Sequence, residues 1–174
     1  MNGASTHKTK AEAAHELYVG AGEIDDEPAC YAEAEALDRR AVELDPTLAI
    51  AYTNLGNIRF RRGDEAEAAN FYRRALEIDD RQAEAHYNLG YLLLNRGDTW
   101  RSILCLRRAI EANPRFADAH FNLAVAFWRM GEHRKARPHW RCYLEIEPTG
   151  AWAAAAKHHL AELAELPSTR AAAK

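Results

Sequence analysis

Ala85-His86-Tyr87-Asn88-Leu89-Gly90 has two near copies in this chain, Ala51-Tyr52-Thr53-Asn54-Leu55-Gly56 before it and Ala119-His120-Phe121-Asn122-Leu123-Ala124 after it. The three stretches begin at residues 51, 85 and 119, a constant interval of 34. Other columns keep the same register: Gly63, Gly97 and Gly131; Arg73, Arg107 and Arg141; Glu77, Glu111 and Glu145. Pro46, Pro114 and Pro148 close units in the same phase, with Asp80 where a fourth proline would fall. Agreement across several independent columns identifies a repeated supersecondary unit. Such a unit cannot bury its apolar face alone and must stack on its neighbours.

Inside each unit the period is helical. Tyr52, Leu55 and Gly56, and likewise His86, Leu89, Gly90 and Leu93, fall at i, i+3, i+4 and i+7, which makes one buried stripe. A glycine within that stripe costs helix propensity, so its presence points to two helices in close approach. Gly63-Asp64, Gly97-Asp98 and Gly131-Glu132 end the first helix, glycine supplying a left-handed cap and the acid suiting the positive start of the next helix. The second helix buries Ala68, Tyr72 and Ala75, or Ser102, Leu106 and Ala109. It stops at Asp45-Pro46, Asn113-Pro114 or Glu147-Pro148, because proline cannot donate to a continuing ladder. Pro138 lies inside the last second helix, where the missing bond to the Arg134 carbonyl predicts a bend near the first turn.

These columns resemble the tetratricopeptide (TPR) pattern: an aromatic, then Leu-Gly, then Ala and a late proline over 34 residues. The length is similar to that of small bacterial members. The resemblance implies an all-α, right-handed α-solenoid of helix-turn-helix repeats, with full units at 49–82, 83–116 and 117–150. A divergent first unit covers 11–48, matching through Tyr18, Ala21, Gly22, Tyr31, Ala34 and Ala41, with a loose acidic turn at Ile24-Asp25-Asp26-Glu27-Pro28. Asp38 and Arg59 stand in columns where apolar and aromatic residues are usual. Residues 151–166, with Trp152, Leu160 and Leu163 among polar His158, His159, Lys157 and Glu162, read as the capping helix that the last repeat needs. Segments 1–10 and 167–174 read as flexible ends.

The first helices carry a second stripe about 100° from the packing stripe. It runs Tyr87, Tyr91 and Leu94 in the third unit, Phe121, Val125 and Trp128 in the fourth, and Thr53, Asn57 and Phe60 in the second. Arg61, Asn95 and Arg129 edge it, and Asn54, Asn88 and Asn122 run beside it as hydrogen-bonding partners for backbone or ligand. In proteins of this family the first helices line a concave surface, so the resemblance implies that these residues form a groove for a partner peptide or helix. The competing reading is that the stripe packs against the next repeat. A clamp for a C-terminal carboxylate is not expected, since the wall offers no lysine and carries Glu84 and Asp118.

Composition excludes several function classes. Net charge is −3, with 48% hydrophobic and 28% charged residues, so no basic field draws nucleic acid. The arginine columns read instead as i, i+4 pairs: Arg73 with Glu77, Arg107 with Glu111, Arg141 with Glu145. No apolar run is long enough to span a membrane, and Met1–Lys10 lacks the apolar core of a secretory signal, which predicts a cytoplasmic protein. Cys30, Cys105 and Cys142 read as reduced packing residues. His133, His139, His158 and His159 lack i, i+4 ligand spacing, and there is no phosphate loop or nucleophile elbow, so neither metal, cofactor nor catalysis is expected. The sequence therefore reads as a non-catalytic adaptor or scaffold. The alternatives are a secretion-type chaperone for an apolar segment, or an architectural subunit that self-assembles as a homo-oligomer through its incomplete first unit.

Overall fold

The helical period is realised along the chain. The computed structural model describes residues 8–22 and 30–165. Among these it contains α1 (Lys10–Gly22), α2 (Tyr31–Leu44), α3 (Ala49–Arg61), α4 (Glu65–Ile78), α5 (Ala83–Asn95), α6 (Thr99–Ala112), α7 (Ala117–Arg129), α8 (His133–Ile146) and α9 (Ala153–Glu165), with no strand. The acidic turn Ile24–Pro28 and the tail 167–174 lie outside the described residues, as do 1–7. Lys10, expected in a flexible end, already opens α1. Helix α8 runs through Pro138 without interruption.

The turns inside the pairs are built alike. Gly63, Gly97 and Gly131 have φ of 82°, 82° and 73°, the left-handed region that glycine enters without a Cβ clash. Gly63 N–H donates to the Phe60 carbonyl and Asp64 N–H to that of Arg59, both at 2.9 Å, which is the double bond of a Schellman cap. Asp98 and Glu132 repeat it on Leu93 and Phe127. Asp64 and Asp98 then cap the following helices by accepting from Glu67 N–H and Arg101 N–H.

Within each pair the second helix presses one large residue onto the first. Tyr72, Leu106 and Trp140 share a column and are almost wholly buried. A Cβ at Gly56 would lie 2.4 Å from Tyr72 Cε1, and one at Gly90 would lie 2.9 Å from Leu106 Cγ. Gly56 and Gly90 are therefore the gaps into which Tyr72 and Leu106 fit, whereas the fourth unit has Ala124 in that column. Between pairs, α3 meets α5 and α5 meets α7 more extensively than α4 meets α6 or α6 meets α8. First helices thus lie on the inner side of the stack and second helices fan outward.

Asp38 occupies the column of Tyr72, Leu106 and Trp140, yet is 1% exposed, with one carboxyl oxygen unpartnered. Burial pushes its pKa up to about 7, only partly countered by a hydrogen bond with Asn54. The buried cluster of the first unit is made of small residues, Ala14, Ala41 and Ala51, with Leu17, Tyr18, Val42, Leu44 and Leu48 packed against it. Arg59 stands in its aromatic column because it reaches back to the buried Glu35, which Arg39 and Arg62 also engage. Burial opposes the Glu35 charge, but the three guanidinium groups outweigh it and hold the carboxyl below its usual range. The expected i, i+4 pairs are corrected: Arg74 pairs with Glu77 and Arg108 with Glu111, both at i, i+3. Arg73 instead bonds Asn70, and Arg107 lies over the Phe127 ring.

Gly56→Ala should destabilise the chain by about 1–3 kcal/mol, since overpacking against an immobile Tyr72 exceeds the roughly 1 kcal/mol helix gain. Gly20→Ala, whose Cβ would meet nothing closer than Leu37 Cδ1 at 3.8 Å, should be neutral or stabilising by thermal melting. A second prediction concerns pH. Native Asp38 keeps its proton to about pH 7, whereas the unfolded carboxyl loses it near 3.8, so Asp38 lowers stability progressively as pH rises from 4 to 7. Asp38→Asn removes that slope. Its stability advantage over wild type should grow by about 2–3 kcal/mol between pH 5 and pH 8 in denaturant titrations.

Candidate peptide-binding face

The inner wall is the side on which α3, α5 and α7 approach one another, and the stripe read from the sequence lies along their contacts. Two of its residues meet the turn that opens the next pair: the Thr53 hydroxyl donates to Gln82 Oε1 at 2.9 Å, and the Tyr87 ring packs on Phe116 at 4.7 Å. Thr53, Leu94 and Phe121 are buried there, at 0%, 2% and 8% exposed. They close the seams between repeats and do not project into an open groove. Trp128 is also turned into packing, against His133, Trp140 and His159, because the cap α9 lies against the last pair. Phe121 packs on Tyr143 of α8 and on Trp152 in the turn before α9.

What remains half-buried on the wall is a row of rings. Phe60 meets Tyr91 edge-on at 5.9 Å, and Tyr91 stacks with Tyr87 at 6.3 Å. Val125 continues the row on α7, half-buried against the core. Arg61, Asn95 and Arg129 are exposed at the far edge. Arg129 donates to the Leu94 carbonyl at 2.9 Å, and the Arg61 guanidinium lies over the Tyr31 ring.

The asparagine column is an internal ladder. Asn88 Nδ2 donates to Asn57 Oδ1 at 2.8 Å, and Asn122 Nδ2 donates to the Tyr87 hydroxyl at 3.2 Å. Asn54 bonds Asp38. Asn57 Oδ1 also accepts from the Tyr72 hydroxyl, and its Nδ2 donates to Glu84 Oε1 at 3.0 Å, so both ends of this amide are engaged. Burial, then the Glu84 charge, raises the Tyr72 phenol above its usual range; burial, then Asp118, does the same for Tyr87. Trp152 escaped the sequence reading as a wall residue, having been assigned to the cap. The 34-residue interval from Asp118 is the signal that places it in the wall column.

The outer face holds a different cluster. His120 is buried, and its Nε2 faces the Pro114 carbonyl at 3.0 Å, so Nε2 carries the proton and Nδ1 accepts from His139 Nδ1 at 3.1 Å. Burial, then the neighbouring His120, pushes His139 down to about 4, which keeps His139 uncharged at neutral pH. Cys142 sits 3.4 Å from His120, and burial raises its thiol. One repeat earlier the same columns hold His86, Cys105 and Arg108, lining a shallow hollow with Leu104. Among the described residues no group of three or more His, Cys, Asp or Glu is placed to hold a metal, and no helix is long and apolar enough to cross a membrane.

Comparison with known proteins agrees with this architecture. No curated protein matches the sequence significantly. Among solved structures, PilF of Pseudomonas aeruginosa superposes with a TM-score of 0.70 at 21% identity, over 88% of this chain and 67% of that one. MamA gives 0.63 at 23% identity, over 79% and 88%. The first TPR domain of Spaghetti (RPAP3), bound to an HSP90 peptide, gives 0.61 at 18% identity, over 67% and 90%. At these identities the likeness concerns the fold. A TPR repeat model matches residues 56–97 and a tetratricopeptide repeat model matches residues 87–151. Together they take in 56–151, more than half of the chain, which belongs to the tetratricopeptide-repeat family.

Proposed function

We propose that this chain is a non-catalytic adaptor or scaffold that holds a peptide or helix of a partner protein along the inner wall of α3, α5 and α7. Units 49–82, 83–116 and 117–150 supply the wall, while 11–48 and 151–166 end the stack. The observation that carries this reading is the continuous row Phe60, Tyr91 and Tyr87, half-buried on the side where first helices converge. Rings anchored on one side and open on the other give large contact area at low entropic cost, which is what interface anchors require. Asn95, Arg61 and Arg129 at the edge suit a polar rim. Thr53, Leu94, Phe121 and Trp128 belong to the support of the wall, and Asn54, Asn57, Asn88 and Asn122 set its shape.

The test is selection of a randomised peptide library on the whole chain, followed by anisotropy titration of the selected peptides. Tyr91→Ala should weaken them at least tenfold, and the exposed Asn95→Ala a few fold, with melting temperatures close to wild type. Trp100→Ser, on the outer face and 63% exposed in the native chain, should leave affinity unchanged. Peptides that bind Tyr91→Ala and Asn95→Ala as tightly as wild type, but lose affinity for Trp100→Ser, would move the site off the inner wall.

A further inference from the structure

The inner wall is electrically uneven, and the repeat makes the unevenness easy to locate. One column, at 34-residue spacing, reads Ile50, Glu84, Asp118 and Trp152. Glu84 is exposed, and its carboxylate is held in place by Asn57, which is itself fixed by Tyr72 and Asn88. Asp118 lies near enough to the Tyr87 phenol to help raise it. Trp152 is 53% exposed yet anchored, its ring stacked on Phe121 at 5.5 Å and 24°, and its backbone N–H donating to the Tyr143 hydroxyl. The exposed cations of the wall are already engaged: Arg129 donates to the Leu94 carbonyl, and Arg61 lies over the Tyr31 ring and acts on the same Tyr72 phenol as Glu84. Beside the half-buried Tyr87 and Tyr91 stand the exposed, pre-positioned carboxylate of Glu84 and the partly exposed one of Asp118, with the exposed Trp152 ring in the same column.

Carboxylates and indole or phenol faces have one ligand chemistry in common. Guanidinium and ammonium groups pair with the first and are drawn over the second. We infer that the occupant of the wall is a protein segment bearing arginine or lysine side chains, seated with its cations at Glu84, Asp118 and the Trp152 ring. This rests on the inner wall being the binding face. A segment rich in acidic residues would meet like charge at Glu84 and Asp118 and find both arginines already engaged, so the wall discriminates by repulsion as well as attraction. Glu84 and Asp118 also stand in the first turns of α5 and α7, where negative charge suits the helix dipole. That role sets stability but confers no preference among ligands, which is how the two roles separate.

Three labelled peptides of equal length and identical aromatic content decide the matter, their variable positions carrying arginine, serine or glutamate. With the whole chain at low salt, the arginine peptide should bind at least tenfold more tightly than the serine peptide, and the glutamate peptide most weakly. The advantage should shrink several-fold as salt rises to physiological strength, where screening acts over about 8 Å. Glu84→Gln with Asp118→Asn should abolish the preference, the arginine peptide falling to the affinity of the serine peptide for the same variant. Trp152→Leu should cost the arginine peptide a few fold and remove its effect on indole fluorescence. Equal binding of all three peptides, tighter binding of the glutamate peptide, or a preference that survives the double substitution overturns the charge inference while sparing the wall. Binding of none of the three, or binding indifferent to Tyr91→Ala, sinks the wall itself.

Discussion

The contact between the second helix and the glycine of the first sets the geometry from which the rest follows. Tyr72 fills the space that a Cβ at Gly56 would occupy, and Leu106 does so at Gly90. The side chain therefore acts as a fixed spacer between helix axes, and the absent Cβ brings those axes together. In the last three pairs the first helix ends in the same Schellman turn, which sends the second helix off in a like direction. Like turns and like spacing repeat one offset between pairs. That offset brings the first helices together and separates the second helices, creating an inner wall without any residue selected for curvature itself.

That geometry was legible because it is written in the residues the chain cannot vary freely: a positive-φ glycine, a glycine under a ring, a proline after the helix. The wall was less legible. Periodicity finds a second stripe on each first helix, but it cannot say which neighbour that stripe meets. Thr53, Leu94 and Phe121 share columns with residues that stay accessible, yet they lie in seams, because Gln82, α7 and the Trp152 ring reach them. Trp128 looks like an anchor in sequence and is packing in space, since α9 supplies the His159 against which it rests. Burial of this kind depends on the partner element, and a single-helix period carries no information about it. The arginine columns teach the same lesson at smaller scale. Register fixed their face, but rotamer and local competition chose Arg74 and Arg108 as the partners of Glu77 and Glu111.

Columns also show how one backbone site takes on different chemistry from unit to unit. Tyr52, His86 and His120 are equivalent, and so are Phe71, Cys105 and His139. In the second unit Arg74 lies over the Tyr52 ring, in the third a hollow opens beside His86 and Cys105, and in the fourth two imidazoles bond to one another. Asp38 is the contrary case. It sits in a column where the other three units place a large side chain, and its buried carboxyl has Asn54 as a hydrogen-bond partner. The Glu35 cluster ties α2 of this first unit to α3.

The amide ladder explains why recognition on the wall should fall to charge and rings. Asparagine has two donors and a carbonyl with room for two acceptances. Asn57 uses its carbonyl on Tyr72 and Asn88 and one donor on Glu84; Asn88 and Asn122 each spend a donor on the neighbouring repeat. A ligand that needed the Asn57 carbonyl would have to break bonds already made, gaining little net. The carboxylate of Glu84 is different. One of its oxygens takes the Asn57 donor and the group remains exposed, so a cation adds to the network and displaces nothing. The ladder thus works as a frame that orients the groups beside it, and the groups it orients are an acid and a row of aromatic faces.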